Sequence, residues 1–213
     1  MDVPKLLLLT AAWLVYFVLH SLFASLGFKR TVARNHPEWM PAYRLAFNIV
    51  AVGLLIVPLA LTFLWRGEPL WAWSGTWAWL ANGLTALAVV GFAWTSRCYD
   101  GSEFLGLRQW RAREKRVEDQ EHFQLSPVHR YVRHPWYFLG LVLIWTRDMD
   151  PAFLVTAIAI TAYFVVGSKL EDRKLIAYHG EVYKRYRERV CGLVPLPWRF
   201  LSEAEAEKLV RQP

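Results

Sequence analysis

Three apolar runs, at residues 4–28, 43–65 and 75–96, set the strongest limit on what this chain can fold into. Each approaches or exceeds the roughly 20 residues that cross a bilayer's hydrocarbon core as a helix. A soluble domain rarely carries such runs, and 55% of these 213 residues are hydrophobic. The first run contains His20 and Ser21 and has no basic leader beyond Lys5. It therefore reads as a retained transmembrane helix rather than a cleaved signal.

A fourth apolar region, from Pro135 to Ser168, is interrupted by "TRDMDP" at 146–151. As one helix it would measure about 50 Å, too long for a single crossing. A hairpin turning at Arg147–Pro151 fits better, with a short first leg. Both open ends of a hairpin face the same side of the membrane. The segment ending in Arg133–His134 is thereby brought beside the one starting at Lys169–Asp172.

The net charge of +7 could point to nucleic acid, but its distribution does not. Lys and Arg number four in the 29–44 loop, one in the 66–74 loop, eight from Arg97 to Arg133, one in the hairpin turn and ten after Ser168. Basic residues crowd alternate loops, which is the positive-inside pattern. It implies five membrane crossings, with the N-terminus outside and the C-terminus cytoplasmic. Trp65, Trp71, Trp73, Trp77 and Trp79 flank the outer loop, where amphipathic rings favour the interface. The expected fold is all-α and polytopic: about five transmembrane helices, the last two a hairpin, then a C-terminal cytoplasmic or interfacial helix. Leu170, Ile176, Tyr183 and Tyr186 lie among dense charges in that last helix, as on a surface or interfacial element.

Cys98 and Cys191 make no zinc signature, and the cytoplasmic side disfavours a disulfide. His122, His129 and His134 match no metal box, so no metal is expected. There is no GxGxxG after a strand, Walker loop, GxSxG or HExxH. Any nucleotide must bind among helices.

Two places carry candidate chemistry. Pro135 suits a first helical turn, where its missing N–H is no loss. The next backbone N–H groups, with Arg133 and His134 beside them, form either an anion site or a pair of cations reaching for lipid headgroups. Glu171 and Asp172 follow an apolar helix directly. They either accept hydrogen bonds from a ligand or form a surface pair such as Glu171–Lys174.

"RYVRHPWYFLG" followed by "LEDRKLIAYHGEVYKRYRERVCGLVPLPW" resembles the C-terminal signature of the isoprenylcysteine carboxyl methyltransferase family. That pattern is RHPxY, an apolar hairpin, an acidic pair, then G-x-x-Y-x-x-Y and a proline. Here its positions are Arg133, His134, Pro135, Tyr137, Glu171, Asp172, Gly180, Tyr183, Tyr186 and Pro195. "FLGLRQ", "HSLFAS" and "YRLAFN" look closer to bacterial relatives, the methanethiol S-methyltransferases and the NnrU-like proteins. The resemblance implies a membrane methyltransferase that binds S-adenosyl-L-methionine through Gln109, Glu121, His122, Phe123, Gln124, His129, His134, Pro135, Tyr137 and Glu171. Arg133, His134 and Glu171 would carry the chemistry, the first two holding the methionine end and Glu171 the ribose.

The implied layout is one membrane domain: a three-helix scaffold over 1–96, a cofactor-binding catalytic part over 97–200 and a flexible tail over 201–213. A small or lipid-like acceptor, most simply a thiol, would enter from the membrane, and a positive site would favour its thiolate. Three departures matter. His129 stands where the pattern has tyrosine, Asp172 replaces a second glutamate, and Gly167 replaces the arginine that prenylcysteine enzymes carry. Isoprenylcysteine carboxyl or phospholipid or amine methylation, an NADPH-dependent sterol-type reductase, and a non-enzymatic NnrU-like role are the alternatives.

Overall fold

The computed structural model describes residues 2–115, 117, 123 and 125–211. Along the chain these form α1 (Val3–Ala24), α2 (Leu26–Asn35), α3 (Met40–Leu64), α4 (Gly75–Ser96), α5 (Gly101–Leu105), α6 (Leu107–Ala112), α7 (Pro135–Trp145), α8 (Pro151–Arg189) and α9 (Glu203–Arg211). Short 3₁₀ turns, Pro37–Trp39 and Pro127–Arg130, precede α3 and α7. Among the described residues, α1, the stretch Pro37–Leu64, α4 and α8 are long and apolar enough to cross a membrane, and α7 is a shorter apolar helix. The all-α polytopic fold is thus the one the apolar runs demand.

The first apolar run yields a helix only to Ala24. Ser25 breaks it, with backbone φ −70° and ψ 144°. Its hydroxyl oxygen accepts the Phe28 N–H at 3.2 Å and so caps α2.

The chain groups into two compact units. The first comprises Met1–Ala72, Tyr99–Asp119 and Asp148–Ala159. In it, α1 and α6 each pack on α3. Its apolar interior holds a buried polar chain in which the Trp13 indole N–H donates to Thr156 Oγ1 at 2.9 Å. Thr156 in turn shares a 2.6 Å hydrogen bond with Thr62. Such side-chain bonds join helices where no water competes, each worth roughly 0.6 kcal/mol on average.

The second unit comprises Trp73–Cys98, Gln120–Arg147 and Ile160–Pro213. Here α7 packs on α4. A Cβ added at Gly91 would come within 2.9 Å of the Leu139 side chain, so the absent side chain permits this approach. The Trp136 indole N–H donates to Thr95 Oγ1 at 2.9 Å. α7 also runs antiparallel to the later part of α8. Trp145 donates to Thr161 at one end, at 3.0 Å, and Tyr137 stacks on Phe164 at 4.7 Å toward the other. The hairpin forms as the sequence suggests. α7 has only 11 residues, about 16 Å of rise against a core of about 30 Å.

The apolar part of α8 ends at Ser168, and the helix continues beyond it as a polar segment to Arg189. Gly180 interrupts it at φ 58° and ψ −130°, a backbone conformation open essentially to glycine alone. The consequence is large. On a straight helix Asp172 and Tyr183 would stand about 16 Å apart, beyond the reach of their side chains. Instead the Tyr183 hydroxyl donates to Asp172 Oδ1 at 2.6 Å. The kink folds residues 181–189 back over the preceding turns.

Tyr183 and Tyr186, set among charges in the sequence, turn inward and are both 2% exposed. They form a core cluster with Val190, Leu201 and Ala206, flanked by Phe123, Leu125, Leu175, Ile176 and Leu209. Where a tail from residue 201 is expected, Ser202 opens α9. Its backbone N–H donates to Glu205 Oε2 at 2.8 Å, and the Glu205 N–H donates to Ser202 Oγ at 3.3 Å, a reciprocal cap. Ala206 within it and Leu201 just before it are buried.

Candidate functional site

The site lies in the second unit, at the polar end of the α7–α8 hairpin. Asp172 is its hub. The Arg133 guanidinium grips the carboxylate with both prongs, Nε to Oδ1 at 3.2 Å and Nη2 to Oδ2 at 2.6 Å. Tyr183 donates to Oδ1, and His134 Nε2 lies 3.0 Å from the same oxygen. Burial works against this carboxylate's charge. The bonds from His134, Arg133 and Tyr183 more than offset it and hold Asp172 well below the ordinary carboxylate range.

His134 caps α7 and is 4% exposed at its side chain. Its Nδ1 faces Glu171 Oε2 at 3.2 Å while its Nε2 faces Asp172. Both ring nitrogens therefore carry protons. Burial disfavours the cation, but hydrogen bonds to Asp172 and Glu171 win and raise its pKa from 6.5 to about 9. The ring stacks on Tyr137 at 5.4 Å, and Tyr137 stacks on Phe164, so a column of rings leads from the polar network into the apolar hairpin. The Tyr137 hydroxyl bonds to Glu171. Glu171 differs from its neighbour in one respect: its side chain is 43% exposed, against 9% for Asp172.

Local backbone geometry holds these groups in place. The Arg133 N–H donates to Cys191 O at 2.8 Å and the His134 N–H to Gly192 O at 3.0 Å, a short parallel bridge that joins the approach to α7 with the exit of α8. Arg133 Nη1 donates to Arg187 O at 3.1 Å and also to Val190 O. Four donations tie this guanidinium into the fold. Two cations face two carboxylates here, so the network is formally balanced rather than the positive site the sequence suggests.

The remaining sequence candidates fall in several places. Pro135 occupies the first turn of α7, which has no side-chain cap. His129 Nδ1 lies 2.7 Å from Ser126 Oγ. Burial first, then the charge on His134, lower its pKa to about 4, so it is neutral. Its carbonyl accepts the Tyr186 hydroxyl at 2.6 Å. Phe123 packs edge-on to Tyr183 and Tyr186 and lies 5.4 Å from His179. Gln109 belongs to the first unit. Its amide donates to Glu103 O at 3.3 Å, while its buried Oε1 has no hydrogen-bond partner among the described residues. Glu121, His122 and Gln124 lie outside the described residues. No group of three or more metal-ligating side chains occurs among the described residues.

Methanethiol S-methyltransferase 2 of Bradyrhizobium diazoefficiens is 34% identical over 186 residues, spanning 85% of this chain and 70% of its own. The methanethiol S-methyltransferases of a Pseudomonas species and of Mycobacterium tuberculosis are each 31% identical, over 83% and 87% of this chain and 68% and 76% of theirs. This chain belongs to the methanethiol S-methyltransferase family. That is the bacterial branch suggested by "FLGLRQ", "HSLFAS" and "YRLAFN", within the wider family suggested by the RHPWY element, the acidic pair and the G-x-x-Y-x-x-Y stretch. Membership makes the chain a membrane methyltransferase and does not favour the reductase or non-enzymatic alternatives. No family model and no solved structure matches the chain.

Proposed function

We propose that the protein transfers a methyl group from S-adenosyl-L-methionine to a small thiol at the membrane. The acceptor class follows the names of the relatives, which are methanethiol S-methyltransferases. The observation that carries the site assignment is the partly exposed Glu171 side chain, its carboxylate held by His134 and Tyr137 where the ring column enters the apolar hairpin. The residues fit the proposed donor. A ribose offers hydroxyl donors to a carboxylate, and a sulfonium is stabilised by carboxylates and aromatic faces. When bound, S-adenosyl-L-methionine supplies a methyl group already activated on sulfur, needing no protein acid.

The protein's own contribution is placement and exclusion of water. Glu171 receives the ribose hydroxyls, and the uncapped first turn of α7 at Pro135 faces the anionic end. Tyr137 and Phe164 line the way to the acceptor. A donor held there would supply its methyl group to the thiol sulfur and leave as the neutral thioether, the thiol proton passing to water. Arg133 is a positioning residue, because its donors are spent on Asp172 and on two backbone carbonyls. Gly167 leaves no side chain beside Tyr137, consistent with an acceptor that is small and carries no carboxylate. The basic loops support an orientation in the bacterial inner membrane with the N-terminus outside and the site cytoplasmic.

The test is calorimetric binding of S-adenosyl-L-methionine to the purified protein and to Glu171→Ala and His134→Ala. Both variants should bind at least about tenfold more weakly, a loss of about 1.4 kcal/mol. Unchanged affinity in both rejects the assignment. Transfer of labelled methyl to methanethiol, with amine and carboxylate acceptors run in parallel, decides the acceptor class.

A further inference from the structure

Residues 193–200 of the second unit present large apolar side chains to the exterior, outside any apolar helix. Trp198 is 73% exposed and Val194 55%, and Phe200 and Tyr131 are exposed beside them. This is no floppy stretch. The Arg199 N–H donates to Leu196 O at 3.0 Å, closing a tight turn with Pro197 and Trp198 at its centre. Proline at the first central position pre-sets that turn. The indole stands at its tip.

Both ends of the loop are pinned at one level. Its entry is fixed by the backbone bonds of Cys191 and Gly192 to Arg133 and His134, the last residues before α7 turns apolar. Its exit is fixed by Phe200 stacking on Tyr131 at 5.8 Å, and by reciprocal bonds between Arg130 and Leu201 at 2.9 and 3.0 Å. The loop is therefore held at the height where the hairpin passes from polar to apolar surroundings. Tryptophan and tyrosine rings are most stable at such a boundary. Arg130 and Arg199 flank the rings, and ten basic residues against seven acidic ones follow Ser168, a balance that suits anionic lipid headgroups.

We propose that the Leu196–Arg199 turn is an interfacial anchor. It inserts Trp198, with Val194 and Phe200, into the headgroup–acyl boundary of the leaflet where α7 begins. Backbone bonds couple the loop to Arg133 and His134, so the anchor also sets the depth at which the polar network sits.

The experiment places a nitroxide label at Trp198→Cys, at Val194→Cys and, as a water-exposed reference on α9, at Lys208→Cys. Each is made in a Cys98→Ser, Cys191→Ser background and held in nanodiscs containing anionic phospholipid. Collisions with oxygen and with a water-soluble nickel chelate are then compared. Labels at 198 and 194 should meet the chelate about tenfold less often than the label at 208, and should meet oxygen more often. Equal access to the chelate at all three positions overturns the anchor. Label–label dipolar broadening at 198 would instead identify a second copy of the chain as the occupant, and overturns it equally.

Discussion

His134 ties the stability of the site to pH. Its imidazolium is held between Asp172 at 3.0 Å and Glu171 at 3.2 Å, and its folded pKa is about 9 against 6.5 for the free side chain. A pKa raised in the folded state contributes stability that is complete below the unfolded value. It is lost as pH rises through the folded one. The window therefore runs from 6.5 to about 9. At about 1.4 kcal/mol per unit, the full contribution is on the order of 3 kcal/mol. His134→Gln keeps a hydrogen-bonding side chain of similar reach but cannot titrate. Thermal unfolding in nanodiscs, followed from about pH 6 to pH 10, should show the wild type losing this increment across the window. The variant should start lower and stay nearly flat, apart from background titrations common to both. Parallel curves would refute the reasoning, because they would mean that the imidazolium between the two carboxylates does not stabilise the fold.

Arg133→Lys keeps the charge but loses the planar fork that reaches Asp172 and two carbonyls together, at a cost of about 2 kcal/mol or more. Unfolding temperature and S-adenosyl-L-methionine affinity should fall together, whereas an affinity loss at unchanged stability would make Arg133 a direct ligand contact. Gly180→Ala meets no atom within 4 Å, so its effect isolates backbone strain at φ 58°. It should lower stability by about 1–3 kcal/mol, and an unaltered unfolding temperature would contradict the kink.

Apolar run length makes α1, α3, α4 and the α7–α8 hairpin legible, because the hydrocarbon core imposes a length that a sequence must meet. The hairpin in turn makes the meeting of Arg133 and His134 with Glu171 and Asp172 legible, since an antiparallel return leaves no other arrangement. What the sequence hides is the second fold-back. A helical reading of residues 151–189 puts Tyr183 three turns from Asp172 and Tyr186 among charges, so both look exposed. The one local sign is Gly180 inside a helical pattern, and a lone glycine there signals only weakened propensity unless its backbone angles are known. Once the chain turns at Gly180, Asp172 gains Tyr183, and Arg133 gains the carbonyls of Arg187 and Val190. Glu171 stays the more exposed of the two acids. The different surroundings of two adjacent carboxylates thus trace to one glycine eight residues beyond the second of them. Spacing along the chain gives both acids the same standing; the returning helix buries one and leaves the other at the edge of the network, where the proposed function puts the ligand.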